Sequence, residues 1–114
     1  MKLKRLLCAA AMLGWLGSAN ATYICTGNVS GLSIGSDGAV WAGAIGGLPW
    51  QGVCNVLTSQ NGFDPATCKV LYAQLLAAQT TGKTVNLNFT DSGSCSTHAA
   101  WTWANTLYFV TLNP

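Results

Sequence analysis

A mainly β domain with one helix is what this chain predicts, and three observations carry the prediction. One stretch, Asp64 to Gly82, has the caps and apolar spacing of a helix. The segments on either side alternate apolar and polar residues as half-buried strands do. Four of the five cysteines lie after residue 21, in a short stretch that is nearly uncharged. Read in order, the segments are three strands, the helix and two more strands.

Residues 1–21 are set apart from that domain. Lys2, Lys4 and Arg5 precede an apolar run from Leu6 to Leu16, and Ala19-Asn20-Ala21 offers the small residues of a cleavage site. The pattern is that of a secretory signal peptide, and the apolar run is too short to span a bilayer. With the signal removed, residues 22–114 are expected to form a single domain, secreted or periplasmic, with no membrane span of its own. A domain of this size buries only about 60–65% of the surface its unfolded chain exposes, so staples are expected. Cys8 leaves with the signal. Cys25, Cys54, Cys68 and Cys95 remain, an even number that reads as two disulfides in an exported chain. The short Cys-x-x-Cys knuckles of a zinc site are absent. Lys69 and Lys83 then stand against Asp37, Asp64 and Asp91, a formal charge of −1 where the whole chain carries +2. Two lysines cannot supply the phosphate contacts of a nucleic-acid binder, nor a polybasic membrane surface.

Tyr23 to Ile34 predicts the first strand, with Leu32 and Ile34 alternating with Gly31 and Ser33. Gly27 and Gly31 let it bend, as a barrel strand must at a corner. Gly35-Ser36-Asp37-Gly38 is a turn. Ala39 to Ile45 returns as the second strand, Val40 and Ala42 on one face, Trp41 and Gly43 on the other. Gly46-Gly47-Leu48-Pro49 breaks the chain before a third strand, Trp50 to Leu57, whose core candidates are Val53, Cys54 and Val56. After a polar loop, Asp64 is an N-cap and Pro65 stands at the first helical position. Cys68, Leu71, Tyr72 and Leu75 form the apolar stripe, with Leu76 on its flank. Gly82 stops the helix in the left-handed conformation, and Lys83 suits its negative end. Val85, Leu87 and Phe89 alternate with Thr84, Asn86, Asn88 and Thr90 as the fourth strand. Asp91 to Ser94 is a turn, Cys95 to Thr106 is irregular, and Leu107 to Leu112 closes the fold with Tyr108 and Phe109 on opposite faces.

A five-stranded OB-like barrel, with its helix between strands three and four, has this β-β-β-α-β-β order, the helix stripe plugging one end. A curved open sheet packed on one helix is the alternative. In the barrel, the first and fourth strands are antiparallel neighbours, which sets Cys25 beside Cys95. Cys54 and Cys68 end the third strand and begin the helix. The expected bonds are Cys25–Cys95 and Cys54–Cys68.

The run of Val53-Cys54, Cys68, Leu75-Leu76-Ala77-Ala78, Thr81-Gly82-Lys83-Thr84-Val85, Cys95 and Trp101 resembles a group of small exported proteobacterial proteins of unknown function. More distantly, the helix-to-strand step is similar to OB-fold B subunits of AB-type toxins, of the subtilase-cytotoxin and pertussis-like types. The resemblance implies an OB-fold, and it implies glycan binding and ring assembly as properties of such subunits.

Catalytic chemistry is poorly supplied, and a non-enzymatic role is expected. His98 is the single histidine. A Ser–His–Asp set from Ser94 or Ser96, His98 and Asp91 lacks any mark of a nucleophile on a strained turn. The three aspartates read as turn and cap residues rather than a glycosidase pair. No cofactor or metal motif is present. Aromatic residues are the better indication. Trp41, Trp50, Trp101 and Trp103 remain after the signal, and in an extended Trp101-Thr102-Trp103 both rings face one way. Indole faces accept the C–H surfaces of sugars, and Asn and Thr hydroxyl partners follow at Asn105 and Thr106. Trp101, Trp103 and Asn105 are thus the candidate binding residues, for a glycan or a partner protein. The opposing reading of these rings is burial in a small core. The outer helix face, Ala66, Val70, Ala73 and Ala77, is small and uncharged, and is the expected contact of a homo-oligomer. A small structural or envelope protein without a ligand is the alternative, and a hydrolase ranks below it.

Overall fold

The helix forms where its caps predict it. In the computed structural model, which describes residues 22–114, α1 spans Pro65–Thr81. The Asp64 carboxylate accepts from the Thr67 N–H at 2.7 Å, and Gly82 ends the helix at φ 71°. Cys68, Leu71, Leu75 and Ala78 are buried, while Tyr72 is only half-buried and Leu76 is exposed. The outer residues Ala66, Val70, Ala73 and Ala77 are all exposed. The signal peptide expected over residues 1–21, with Cys8, lies outside the described residues.

Seven strands surround this helix, in two sheets. β1 (Tyr23–Asn28), β5 (Thr84–Phe89) and β7 (Leu107–Leu112) form an antiparallel three-stranded sheet in the order β1-β5-β7. β2 (Ser33–Ile34), β3 (Ala39–Ala42), β4 (Gln51–Asn55) and β6 (Thr102–Trp103) form the second sheet in that order. The fold is therefore mainly β with one helix, but it is not the closed five-stranded barrel. Among the described residues, no ladder joins the two sheets.

Two departures produce this result. The expected first strand, Tyr23 to Ile34, is two strands. The chain leaves the first sheet after Asn28, turns through Gly31 at φ 63° and enters the second sheet at Ser33. The glycine that was to bend one strand instead moves the chain between sheets. The segment Cys95 to Thr106 also contains regular structure, a 3₁₀ turn at Cys95–Thr97 and β6, which pairs with β4 in parallel. The second and third strands are shorter than their sequence runs suggest. β3 stops at Ala42, and Ile45 and Leu48 then bridge across a tight turn in which Gly46 (φ 55°) and Gly47 (φ 88°) supply the positive φ that such turns require. A Cβ on Gly46 would lie 2.4 Å from the Thr26 carbonyl oxygen, so this turn packs directly on β1.

The edge of the first sheet is irregular at Tyr108 and Phe109. A register shift in the β5–β7 ladder leaves Tyr108 without a partner, since Asn88 faces Phe109 and Phe89 faces Leu107. Both rings are exposed. β5 follows its alternation, with Val85, Leu87 and Phe89 buried. They meet Val40, Ala42, Val53 and Cys54 from the second sheet and the buried stripe of α1 in one core. The helix touches β4, β5 and β7, and so packs against both sheets rather than plugging a barrel end.

Both disulfides form as expected, Cys25–Cys95 and Cys54–Cys68, each with Cα atoms 5.7 Å apart. The first follows from the antiparallel β1–β5 pairing. That pairing sets the first strand beside the end of β5, just before the turn that carries Cys95. Two disulfides fit an oxidising compartment. Among the described residues, no helix is long and apolar enough to cross a membrane.

Candidate functional site

The outer face of the second sheet carries the tryptophans. Along β3, Val40 and Ala42 point to the core, so Trp41 points away from it. The register sets Ser33, Trp41, Gly52 and Trp103 side by side across the four strands. Gly52 is the reason two indoles can meet there. With no side chain between them, the rings of Trp41 and Trp103 close to 5.3 Å between centroids. A Cβ on Gly52 would stand 2.6 Å from Trp103 Cε3, so the Trp103 ring lies on the bare backbone of β4.

Trp50 is seated in the same way. A Cβ on Gly31 would fall 2.5 Å from its Cη2, and one on Gly43 would fall 3.3 Å from its Cζ2. Its exposed side is taken by Trp101, stacked at 4.9 Å with an interplanar angle of 9°. Trp101 also approaches Trp41 at 5.8 Å. The four indoles thus form one continuous aromatic surface. Within it Trp41, Trp50 and Trp103 are half-buried, and Trp101 is 63% exposed.

Trp101 does not reach this surface as part of an extended segment. Its φ is 60°, in the left-handed region, and β6 begins only at Thr102. Both rings still gather against Trp41, but by a backbone turn rather than by strand alternation. A bulky residue at positive φ is a strained arrangement that the surroundings must hold. They do so with the Trp101 N–H, which donates to the Trp50 carbonyl at 2.8 Å. Gln51, 4% exposed, adds a second tie. Its Nε2 donates to the Trp50 carbonyl at 2.9 Å and the Ala99 carbonyl at 2.8 Å, fastening the loop before Trp101 to the start of β4. The Gln51 Oε1 has no donor among the described residues. Gln51 borders a small apolar cavity of about 10 Å³ with Ala42, Leu48 and Phe89, room for one water molecule.

The root of the same loop is held by a polar cluster. The Tyr23 ring stacks on Phe89 at 5.2 Å, and the His98 ring lies against Phe89 at 4.7 Å. Tyr23 Oη and His98 Nε2 share a hydrogen bond of 2.5 Å. Asp91 accepts from the Gly93 N–H at 2.7 Å and from the Thr106 hydroxyl. The Thr106 hydroxyl is the main cause that holds the Asp91 carboxyl below the usual carboxylate range. Burial, then the neighbouring Asp91, pushes the Tyr23 phenol well above its ordinary value. The hydroxyls of Ser94 and Ser96 pair with each other at 3.2 Å, and among the described residues neither bonds His98. Among those residues, no three His, Cys, Asp or Glu side chains come together as a metal site.

Asn105 follows Trp103 in the turn before β7, exposed, with its N–H donating to the Trp103 carbonyl at 2.9 Å. Among the described residues its side chain forms no hydrogen bond. Trp41, Trp50 and Gln51 were not singled out from the sequence as site residues. Their role depends on register and on the glycines opposite them. A shallow groove lies elsewhere, between α1 and β7, bordered by Phe63, Val70, Tyr108 and Phe109. Compared with family models, curated proteins and solved structures, the chain matches none of them.

Proposed function

We propose that this chain is an exported, non-enzymatic domain that binds carbohydrate through the aromatic surface of Trp41, Trp50, Trp101 and Trp103. The observation that supports this reading most is the conformation of Trp101. The chain keeps a strained backbone there and leaves the indole 63% exposed, stacked on Trp50. Burial gives no reason for such an arrangement, whereas presentation of a flat face to a ligand does. Sugars stack on indoles through their apolar C–H faces. Thr102, Asn105 and Ser33 stand beside the rings in chain or register as hydroxyl and amide partners.

The resemblance to toxin B subunits belongs to this proposal, and so does secretion or delivery to the periplasm. A glycan array probed with the wild-type chain and with Trp101→Ala tests the binding reading. Saccharide signal that the variant loses supports it, and a wild-type chain that binds no saccharide removes it. We also place self-association on the exposed α1 face of Ala66, Val70, Ala73 and Ala77, where Val70 meets the exposed Tyr108 and Phe109 at the groove. Light scattering reports it directly, and a monomer at high concentration ends that part of the proposal.

A further inference from the structure

We infer that the ligand of the aromatic surface is an uncharged, extended oligosaccharide read over two or more pyranose rings. This rests on the carbohydrate reading above and narrows it.

The first argument is electrostatic. Residues 39–63 and 99–114, which hold all four tryptophans, contain no charged side chain. The two lysines of the described chain, Lys69 and Lys83, lie in α1 and just after it. That helix packs on the inner side of the sheets, while the indoles cover the outer face of β3 and β4. Asp91, the carboxylate nearest in sequence to Trp101, is already engaged by Thr106 and Gly93, and the His98 ring is held by Tyr23. A carboxylate or sulfate brought onto this surface would lose hydration and find no cation in return. A neutral ring loses only weakly held water from its C–H face.

The second argument is the extent of the surface. Trp101 lies 5.8 Å from Trp41, and Trp41 lies 5.3 Å from Trp103. Their planes are inclined to one another by 51° and 34°, so the three rings offer a faceted surface of more than one indole, and a chain of several sugars covers more of it than a single sugar does. Trp103 is fixed on Gly52 and Trp101 on Trp50, so little ordering remains to be done on binding.

The test is a tryptophan-fluorescence titration with neutral β-1,4-linked glucose and N-acetylglucosamine oligomers, from monomer to tetramer, and with oligogalacturonate and sialyllactose as anionic counterparts. Affinity for the neutral series is expected to rise by about tenfold or more from monomer to tetramer. Added salt should leave it unchanged. Trp103→Phe, which keeps an aromatic ring over Gly52, should flatten that gain while monomer binding persists. Tighter binding of the anionic series, or no gain with length, overturns this inference and leaves the aromatic site standing. Absence of binding to every saccharide overturns both.

Discussion

Trp101→Gly and Trp101→Ala, compared with each other, isolate the strain at this residue from the contacts of its ring. At φ 60° a residue with a Cβ costs about 1–2 kcal/mol and glycine costs nothing. Both variants lose the same indole. Its stacking on Trp50 contributes about 0.5–1.5 kcal/mol. The covered third of the side chain, roughly 50–90 Å² of the 150–250 Å² that a large aromatic buries, adds about 1–2 kcal/mol. Alanine keeps the strain, so Trp101→Ala should cost about 2–3 kcal/mol. Glycine releases the strain and gives back about 0.5–1 kcal/mol as unfolded-chain entropy. Trp101→Gly should therefore be the more stable of the two by roughly 0.5–1 kcal/mol, the reverse of the order usual outside the left-handed region. Urea unfolding under oxidising conditions, followed by circular dichroism, measures both midpoints. Both variants should fold, and both should lose saccharide binding. An alanine variant as stable as the glycine one would refute the strained backbone. Failure of either to fold would make the ring a structural residue, and retained binding in both would remove Trp101 from the site.

Gly52→Val should displace the Trp103 ring, since even a Cβ there would lie 2.6 Å from it. The expected cost is about 1–3 kcal/mol, with a changed near-ultraviolet spectrum and weakened saccharide binding; an unchanged spectrum would contradict the close ring–backbone packing. Taken singly, loss of Cys25–Cys95, which spans 70 residues, should cost about 4 kcal/mol, and loss of Cys54–Cys68, which spans 14, about 3 kcal/mol, as read from chemical denaturation of paired serine variants. The Asp91 carboxyl is depressed in the fold, first by the Thr106 hydroxyl. Its contribution is present above the unfolded value of about 4 and is lost as pH falls through the lower folded value, and Thr106→Val should shallow this acid limb of a stability–pH profile. The Tyr23 phenol is raised, first by burial and then by Asp91. Its contribution is full below about pH 10 and is lost as pH rises further toward the folded value, so Tyr23→Phe should remove that alkaline loss.

The parts of the fold legible in the sequence are those fixed by local chemistry. Asp64, Pro65 and Gly82 mark the ends of α1 because each satisfies or ends a helix by its own geometry. The alternation of Thr84–Phe89 shows β5 because one face is buried and the other wet. Cys25–Cys95 is legible because the β1–β5 pairing does not depend on whether the sheet closes, and Cys54–Cys68 because it joins β4 to the helix that follows it in the chain. The seven-strand, two-sheet arrangement was not. A two-residue strand such as β2 or β6 is too short to show a period, and parallel pairing of β6 with β4 leaves no turn signal in the chain. The apolar content of Tyr23 to Ile34 is continuous across the crossing between sheets, so only the left-handed Gly31 marks it, and a glycine is equally consistent with a bend.

The site was half legible for a related reason. Trp101 and Trp103 announce themselves by proximity in sequence, yet alternation assigned their common side to a strand that Trp101 does not belong to. What brings the rings together is a set of absences, at Gly31, Gly43 and Gly52, on segments far from Trp101 in the chain. A glycine beside a tryptophan carries no meaning until the register makes them neighbours. Ser33, Trp41, Gly52 and Trp103 form one row only because β4 carries an extra residue, Val53, where the β3–β4 register shifts between Val40 and Trp41, setting Trp41 opposite Gly52 rather than Val53. Without that shift Trp41 would face a side chain, the gap that admits Trp103 would close, and the aromatic surface would break into separate rings. The register irregularity at Val53 in β4 is therefore part of the site, and binding should respond to changes that restore a regular β3–β4 ladder even where no tryptophan is altered.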